Sequence, residues 1–127
     1  MTIRTYEPQY ENQLFELIES EGLEWEYWQE PYKQDYIKTF ERSTLYLVFE
    51  GQRLCGYAKV LDDFVIWIVD LLVHEDFRGK EYGKLLMEHI CLNFPQKDVY
   101  VLGGNDVLPY YKKLGYSSEG VVYKVNG

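Results

Sequence analysis

Three consecutive runs of strand-forming residues restrict what this chain can fold into more than any other feature. The runs cover residues 44–50, 53–61 and 64–73, and breaks of only two residues separate them. A parallel connection needs a crossover of a dozen or more residues, whereas two residues are enough to close an antiparallel hairpin. The spacing therefore predicts a three-stranded antiparallel meander.

Helical patterns lie on both sides of this meander. Apolar residues at helical spacing predict helices over residues 10–21 and 31–40 before it, and over 82–92 and 107–114 after it. Short strands are predicted at 2–6, 99–102 and 119–125. With 127 residues and no repeats or linkers, the chain is predicted to form one α+β domain spanning residues 1–127.

The charge and the cysteine content argue against several classes of partner. The formal net charge is −8, and residues 1–35 contain nine acidic but only two basic side chains. Such a chain repels nucleic-acid phosphates. The longest apolar run, 64–69, is far shorter than the roughly 20 residues of a membrane helix. The two cysteines, Cys55 and Cys91, show no CxxC spacing and are expected to be buried free thiols of a cytoplasmic protein.

The last strand of the meander leads into a loop that combines glycines with cations at the start of a predicted helix. These residues are Arg78, Gly79, Lys80, Gly83 and Lys84. Free backbone N–H groups and the positive end of the helix dipole attract anions there, which predicts a phosphate-type site. The spacing matches neither the GxxxxGK(S/T) loop nor the dinucleotide GxGxxG motif.

Two motifs resemble those of the GNAT acyltransferase family. RGKEYG at 78–83 begins five residues after Val73 and opens a helix, and YYKKLGY at 110–116 places Tyr111 four residues before a Gly-aromatic pair. The order of predicted strands and helices also follows that family along essentially the whole chain. The resemblance implies a GNAT-like α+β fold with a mixed, mostly antiparallel central sheet flanked by helices.

The resemblance further implies an N-acetyltransferase that uses acetyl-CoA as co-substrate, with no metal. A primary amine of a small substrate would attack the thioester directly in a ternary complex, and no enzyme nucleophile is required. The expected partners are acetyl-CoA and the small-molecule amine. The chain is expected to be a monomer or a homodimer, so a second copy of the chain is the other partner considered. Two alternatives stay open: a GNAT-fold acyl-CoA-binding or regulatory module without turnover, and an acyltransferase for a longer acyl group.

The resemblance also assigns residues to the cofactor. They are the strand-end residues Leu71, Leu72 and Val73, the loop and helix residues Arg78, Gly79, Lys80, Gly83 and Lys84, and Asn105. The fourth motif position is usually glycine but is Glu81 here, and its Cβ and negative charge oppose a closely bound diphosphate. Glu81 therefore either weakens a working site or marks one that has decayed. Asn105 lies six residues before Tyr111, where seven is usual.

The same resemblance suggests two catalytic residues. Tyr111 occupies the general-acid position, from which a phenol can serve the departing thiolate. Asp70 lies at a position where family members often have a carboxylate, whereas its neighbour Val69 replaces a second acid. A charge inside the apolar run IWIVDLLV requires an explanation, so Asp70 is either a general base or a structural acid with satisfied partners. His74, which follows the strand, is a second candidate base.

An acidic and aromatic segment at 24–36 is expected to lie near the substrate, because family substrates bind between the first two helices and the central strands. Trp25, Glu26 and Trp28 are the candidate lining residues. Aromatic faces and carboxylates together suit a cationic or aromatic amine. The alternative is that the acids form a solvated helix face and the aromatic side chains belong to the core.

Overall fold

A five-stranded sheet forms the centre of the computed structural model, which describes residues 1–22, 25–103 and 107–127. Its strands are β1 (Thr2–Thr5), β2 (Thr44–Glu50), β3 (Arg53–Asp62), β4 (Ile66–Val73) and β5 (Val99–Val101), in that spatial order. Neighbours from β1 to β4 are antiparallel, and β5 pairs with β4 in parallel. The predicted meander and the mixed, mostly antiparallel sheet are both confirmed.

Helices cover both faces of this sheet. They are α1 (Glu11–Glu19), α2 (Tyr32–Lys38), α3 (Tyr82–Asn93) and α4 (Leu108–Lys113), with short 3-10 turns at Pro8–Tyr10, Glu26–Trp28, Thr39–Arg42 and Glu75–Phe77. The bounds of each helix lie within two residues of those predicted. Within the described ranges, none is long and apolar enough to cross a membrane.

The sheet is buried on both faces, so neighbouring strand residues belong to different cores. Leu47 and Tyr57 pack with α1 and α2, while the adjacent Val48 and Ala58 pack with α3. Successive side chains of a strand point to opposite faces, and this explains why β2 and β3 show almost no polar alternation. We call the two sides the α1/α2 face and the α3 face.

Strand β4 contains one extra residue that changes which face its side chains reach. Val60 pairs with Ile68 and the preceding Lys59 pairs with Asp70, which leaves Val69 as a bulge. Ile68 belongs to the α3-face core, whereas Asp70 contacts Tyr36 on the α1/α2 face. Without the bulge, residues 68 and 70 would point to the same side. The bulge is therefore what turns the Asp70 carboxylate toward α2.

Helix α3 packs against the sheet partly as predicted. Leu86 and Ile90 are fully buried, as expected from the apolar spacing. Cys55 is buried on β3, but Cys91 is exposed, so the prediction of two buried thiols was wrong for Cys91. The reason is helical geometry, since Cys91 is one residue beyond Ile90 and is rotated about 100° away from the buried stripe.

The predicted strand at 119–125 was wrong. Residues 117–124 adopt no strand conformation, and the four large apolar side chains of this segment, Val121, Val122, Tyr123 and Val125, are 70–98% exposed. Strand-forming residues make a strand only when a neighbouring strand supplies hydrogen bonds. The available neighbour, β5, has three residues, and no described residue of 117–127 pairs with it.

Candidate active site

The start of α3, just after the loop that follows β4, presents backbone N–H groups that are available to an anion, whereas the Arg78 and Lys80 N–H groups of the loop bond the Glu75 and Phe77 carbonyls. Gly79 and Glu81 both have left-handed backbone conformations, with φ of 90° and 64°. No described side chain caps the first turn of α3, which begins at Tyr82. The first N–H groups of a helix have no partner within the helix, so this start of α3 can bind a phosphate group. The start of α3 is therefore the part of this region that suits an anionic group.

Arg78 connects the end of β4 with the end of α1. Its Nε donates a hydrogen bond to the Val73 carbonyl at 3.1 Å, and its Nη2 bonds the carboxylate of Glu21. The guanidinium is half exposed. Arg78 is consequently placed at the predicted cofactor loop, but an arriving anion would compete with Glu21 for it.

The two lysines of the loop also have acidic neighbours. Lys80 lies 3.4 Å from Glu50, and Lys84 lies 3.9 Å from Glu88 one helical turn later. Glu50 accepts a hydrogen bond from the Tyr82 hydroxyl at 2.8 Å, which together with Lys80 lowers the pKa of Glu50. Exposed ion pairs of this kind are weak. Both lysines can therefore turn toward a bound anion at little cost.

Among the described residues, nothing pairs with the end of β4 on the side of β5. Ile68 pairs with Val101, and among the described residues β5 contacts no later position of the β4 ladder. The side chains of Leu71 and Val73 pack against the α3-face core, and Leu72 is buried in the α1/α2-face core. The predicted cofactor role of these three residues therefore concerns their backbone, which an extended ligand can pair with as an added strand.

The adjacent tyrosines of α4 reach different places. A Cβ on Gly103, just after β5, would lie 2.8 Å from the Tyr111 ring, while a Cβ on Gly83 in α3 would lie 2.9 Å from the Tyr110 hydroxyl. Burial, with lesser effects of Tyr110 and Tyr116, raises the pKa of Tyr111 to about 12. The Tyr111 phenol is consequently protonated at neutral pH and lies beside the end of β5.

Asp70 is not an isolated buried charge. The Tyr36 hydroxyl donates to Asp70 Oδ2 at 2.6 Å, and the hydroxyls of Tyr36 and Tyr57 lie 2.9 Å apart. Burial raises the pKa of Asp70, although the hydrogen bond from Tyr36 and the charge of Lys59 act in the opposite direction. These contacts are compatible with both interpretations of Asp70, the general base and the structural acid.

Residues around Asp70 were missed when the sequence alone was considered. They are Tyr27, Tyr36, Tyr57 and Lys59, all of which interact with the carboxylate; together with Asp70 we call them the Asp70 cluster. One signal in the sequence could have revealed the lysine. Lys59 and Asp70 are the single charges in the interiors of two hairpin-linked apolar strands, and opposite charges so placed are expected to face each other.

The three predicted substrate residues have separate environments. The Trp25 ring lies 6.3 Å from the Tyr57 ring in an edge-on arrangement, so it is close to the Asp70 cluster. The Trp28 indole N–H donates to the Gly22 carbonyl at 3.0 Å, and Glu26 is exposed. Trp25 is therefore the one best placed to contact a substrate near Asp70, while Trp28 fixes the chain after α1.

The remaining candidates are less favoured or fall outside the described residues. His74 borders a surface cleft of about 380 Å³ between α1 and the β2–β3 hairpin, and its Nδ1 accepts a hydrogen bond from the Asp76 N–H at 3.0 Å. That bond occupies one of its two possible basic atoms. Asn105 lies outside the described residues. Within the described ranges, no group of three His, Cys, Asp or Glu side chains is arranged to hold a metal ion.

Comparison with known proteins identifies a family and several relatives. A family model described as "Acetyltransferase (GNAT) family" matches residues 12–116. An uncharacterized N-acetyltransferase ycf52 of Porphyra purpurea is 32% identical over 69 residues, and that of Pyropia yezoensis is 30% identical over 71 residues. These matches cover 50% and 52% of this chain, but only 40% and 41% of the relatives.

Solved structures show the same fold at low sequence identity. A transcriptional regulator from Bacillus halodurans C-125 is 16% identical, with a TM-score of 0.79 over 99% of both chains. Glucosamine-6-phosphate N-acetyltransferase from Arabidopsis thaliana is 16% identical, with a TM-score of 0.72 over 97% of this chain and 95% of that one. The α+β fold predicted from the sequence is thereby confirmed.

Proposed function

Because this chain belongs to the GNAT acetyltransferase family, we propose that it transfers an acetyl group from acetyl-CoA to a primary amine of a small, cationic or aromatic substrate. The observation that supports this most directly is the edge of β4 beyond Ile68, which no described residue pairs with and which leads to the uncapped start of α3. An extended thiol arm and a diphosphate require these two features in this order.

Both backbone groups and cationic side chains would bind acetyl-CoA. The N–H groups at the start of α3 would hold the diphosphate, and Arg78, Lys80 and Lys84 would leave their acidic partners to neutralise it. The backbone of Leu71, Leu72 and Val73 would pair with the thiol arm. An N–H near Leu71 or Leu72 would then stabilise the negative charge that develops on the thioester oxygen.

Two side chains of the chain would act on the reacting groups, one as a proton acceptor and one as a hydrogen-bond donor. When bound, acetyl-CoA supplies an activated acetyl group, to which the acceptor nitrogen bonds while the C–S bond breaks toward sulfur. Asp70 would take the proton that the nitrogen loses, and its raised pKa makes it a better acceptor than an exposed aspartate. Tyr111 would hydrogen-bond the departing sulfur. The pKa of Tyr111, about 12, exceeds the pKa of roughly 8.5 of a free thiol, so the proton stays on the phenol. Tyr111 would therefore stabilise the departing thiolate by a hydrogen bond.

The acceptor would approach from the side of the first two helices. Trp25 and Tyr27 stand edge to face with ring centroids 5.9 Å apart, beside the half-buried Asp70. Residues 1–35 contain most of the excess negative charge. A protonated amine is attracted to such a surface and can lie over an aromatic face.

The test combines a binding and a turnover measurement. Isothermal titration with acetyl-CoA is expected to show one site per chain, and a thiol-release assay over a panel of small amines is expected to show release with at least one cationic or aromatic amine. Absence of acetyl-CoA binding would contradict the proposal. Asp70→Asn should retain acetyl-CoA binding and lose thiol release.

A module without turnover is the second candidate function. It is favoured by the negatively charged Glu81 in the cofactor loop and by Val69 at a position where family members often have an acid. Such a module would bind acetyl-CoA in the titration but release no thiol with any amine.

A further inference from the structure

The Asp70 cluster contains a buried lysine. Lys59 is only 6% exposed, and its side chain lies on the α1/α2 face. Its Nζ donates to Thr39 Oγ1 at 2.5 Å and lies 4.3 Å from the centre of the Tyr36 ring. In the β3–β4 ladder, Lys59 is the register partner of Asp70. One ammonium therefore contacts the ring whose hydroxyl holds the Asp70 carboxylate.

This position is costly for a lysine. Burial lowers the pKa of Lys59, and among the described residues the charge of Asp70 opposes that effect while the charge of Arg42 adds to it. An ammonium removed from water needs compensating partners, here one hydroxyl and one aromatic face. An apolar side chain such as methionine would fill the same space without this cost. The lysine is thus better explained by its effect on Asp70 than by packing.

We propose that Lys59 is a positioning residue for the transfer reaction, which keeps the Asp70 carboxylate ionised and Tyr36 aligned on it before the amine arrives. This inference rests on the proposed function, in which Asp70 is the proton acceptor. An ionised carboxylate can accept the amine proton, whereas a buried and neutral carboxylic acid cannot. Lys59 supplies the nearby positive charge that favours the ionised form.

Several titratable groups face Asp70, and each must be considered in a test of pH dependence. Tyr27 faces it from the turn before α2, Tyr36 from α2, and Tyr57 and Lys59 from β3. Burial raises the pKa of each of these three tyrosines, so they remain neutral through the pH range of interest. Lys59 is consequently the group in this set that acts on Asp70 by its charge.

The decisive measurement is the titration of the Asp70 carboxyl by carbon-13 NMR in the free protein. Lys59→Met should move its midpoint to higher pH, because the stabilising charge is lost, and Lys59→Arg should restore it. The acid limb of the kcat/KM profile should move with it, so that kcat/KM at a pH on that limb falls about tenfold for each unit of movement. An unchanged Asp70 midpoint in a folded Lys59→Met protein would overturn the proposal.

A reciprocal measurement covers the case in which Lys59→Met fails to fold. Coupling between two titrating groups acts equally in both directions. In Asp70→Asn, the Lys59 side-chain signal should therefore titrate at a lower pH than in the unmodified protein, and an unchanged Lys59 midpoint would overturn the proposal. If the NMR midpoints move but Asp70→Asn keeps full thiol release, Lys59 and Asp70 are electrostatically coupled, but Asp70 is not the proton acceptor of the proposed reaction.

Discussion

Glu81 combines a negative charge that opposes a bound diphosphate with a backbone conformation that is unfavourable for a residue other than glycine. Its φ of 64° is left-handed, which costs an L-residue roughly 1–2 kcal/mol relative to glycine, part of which is offset by glycine's greater freedom in the unfolded chain. Glu81→Gly should therefore raise the free energy of unfolding by about 0.5–1 kcal/mol and tighten acetyl-CoA binding. Urea denaturation and isothermal titration measure the two effects.

Glu81→Ala separates the backbone effect from the charge. Alanine keeps the left-handed strain but removes the carboxylate, so this variant should bind acetyl-CoA more tightly without the gain in stability. Weaker acetyl-CoA binding by Glu81→Gly would show instead that the carboxylate supports the site.

Tyr111 and Tyr110 form a matched pair for testing the proposed hydrogen bond to the departing sulfur. Tyr111→Phe should lower kcat about ten- to a hundredfold with little change in acetyl-CoA affinity, because one hydrogen bond to the departing sulfur is lost. Tyr110→Phe removes the neighbouring hydroxyl, which lies over Gly83 instead of beside β5. Steady-state kinetics should show that its kcat stays within about threefold. Equal losses in the two variants would remove Tyr111 from its assigned role.

The elements that local sequence determines were predicted most accurately. The bounds of β2 were predicted to the residue and those of β3 to within one residue, because two-residue links leave a hairpin as the only connection. The bulge at Val69 was not predicted, since it depends on pairing between β3 and β4. Nor could the sequence show the bond between Tyr36 and Asp70, whose partners are 34 positions apart and meet through tertiary packing.

The C-terminal segment is expected to contribute little to the stability of the fold. Residues 119–125 form no strand, and their apolar side chains are exposed. Removal of residues 119–127 should therefore change the free energy of unfolding by no more than about 0.5 kcal/mol. Leu86→Ala, at a fully buried position of α3, is the contrasting variant and should cost about 2–5 kcal/mol. A comparable loss in the truncated protein would mean that the segment packs in solution.

At the scale of the whole molecule, buried tyrosines link stability to pH. Burial raises the pKa of Tyr36 and of Tyr57, and both hydroxyls belong to the cluster around Asp70. Their unfolded-state pKa is near 10. Above that pH the unfolded chain releases protons that the folded protein retains. The contribution of these tyrosines to stability is therefore fully present below about pH 10 and is lost as the pH rises further.

Lys59 has the opposite effect on the pH dependence of stability, and it acts over a lower pH range. Because its folded pKa is lowered, the unfolded chain binds more protons between that value and about 10.4, so this contribution makes stability rise with pH there and then level off. The decrease in unfolding free energy caused by the tyrosines is consequently seen most clearly between about pH 10.5 and 11.5.

Urea denaturation across this range should show unfolding free energy falling by up to about 1.4 kcal/mol per pH unit for each buried tyrosine. Tyr36→Phe should reduce that slope by about this amount, whereas Tyr123→Phe, at an 80% exposed position, should leave it unchanged. The net charge of −8 adds general repulsion at high pH, but 0.5 M NaCl screens surface charges and not a buried phenol. A slope that disappears in salt would assign the pH dependence to the surface and not to the Asp70 cluster.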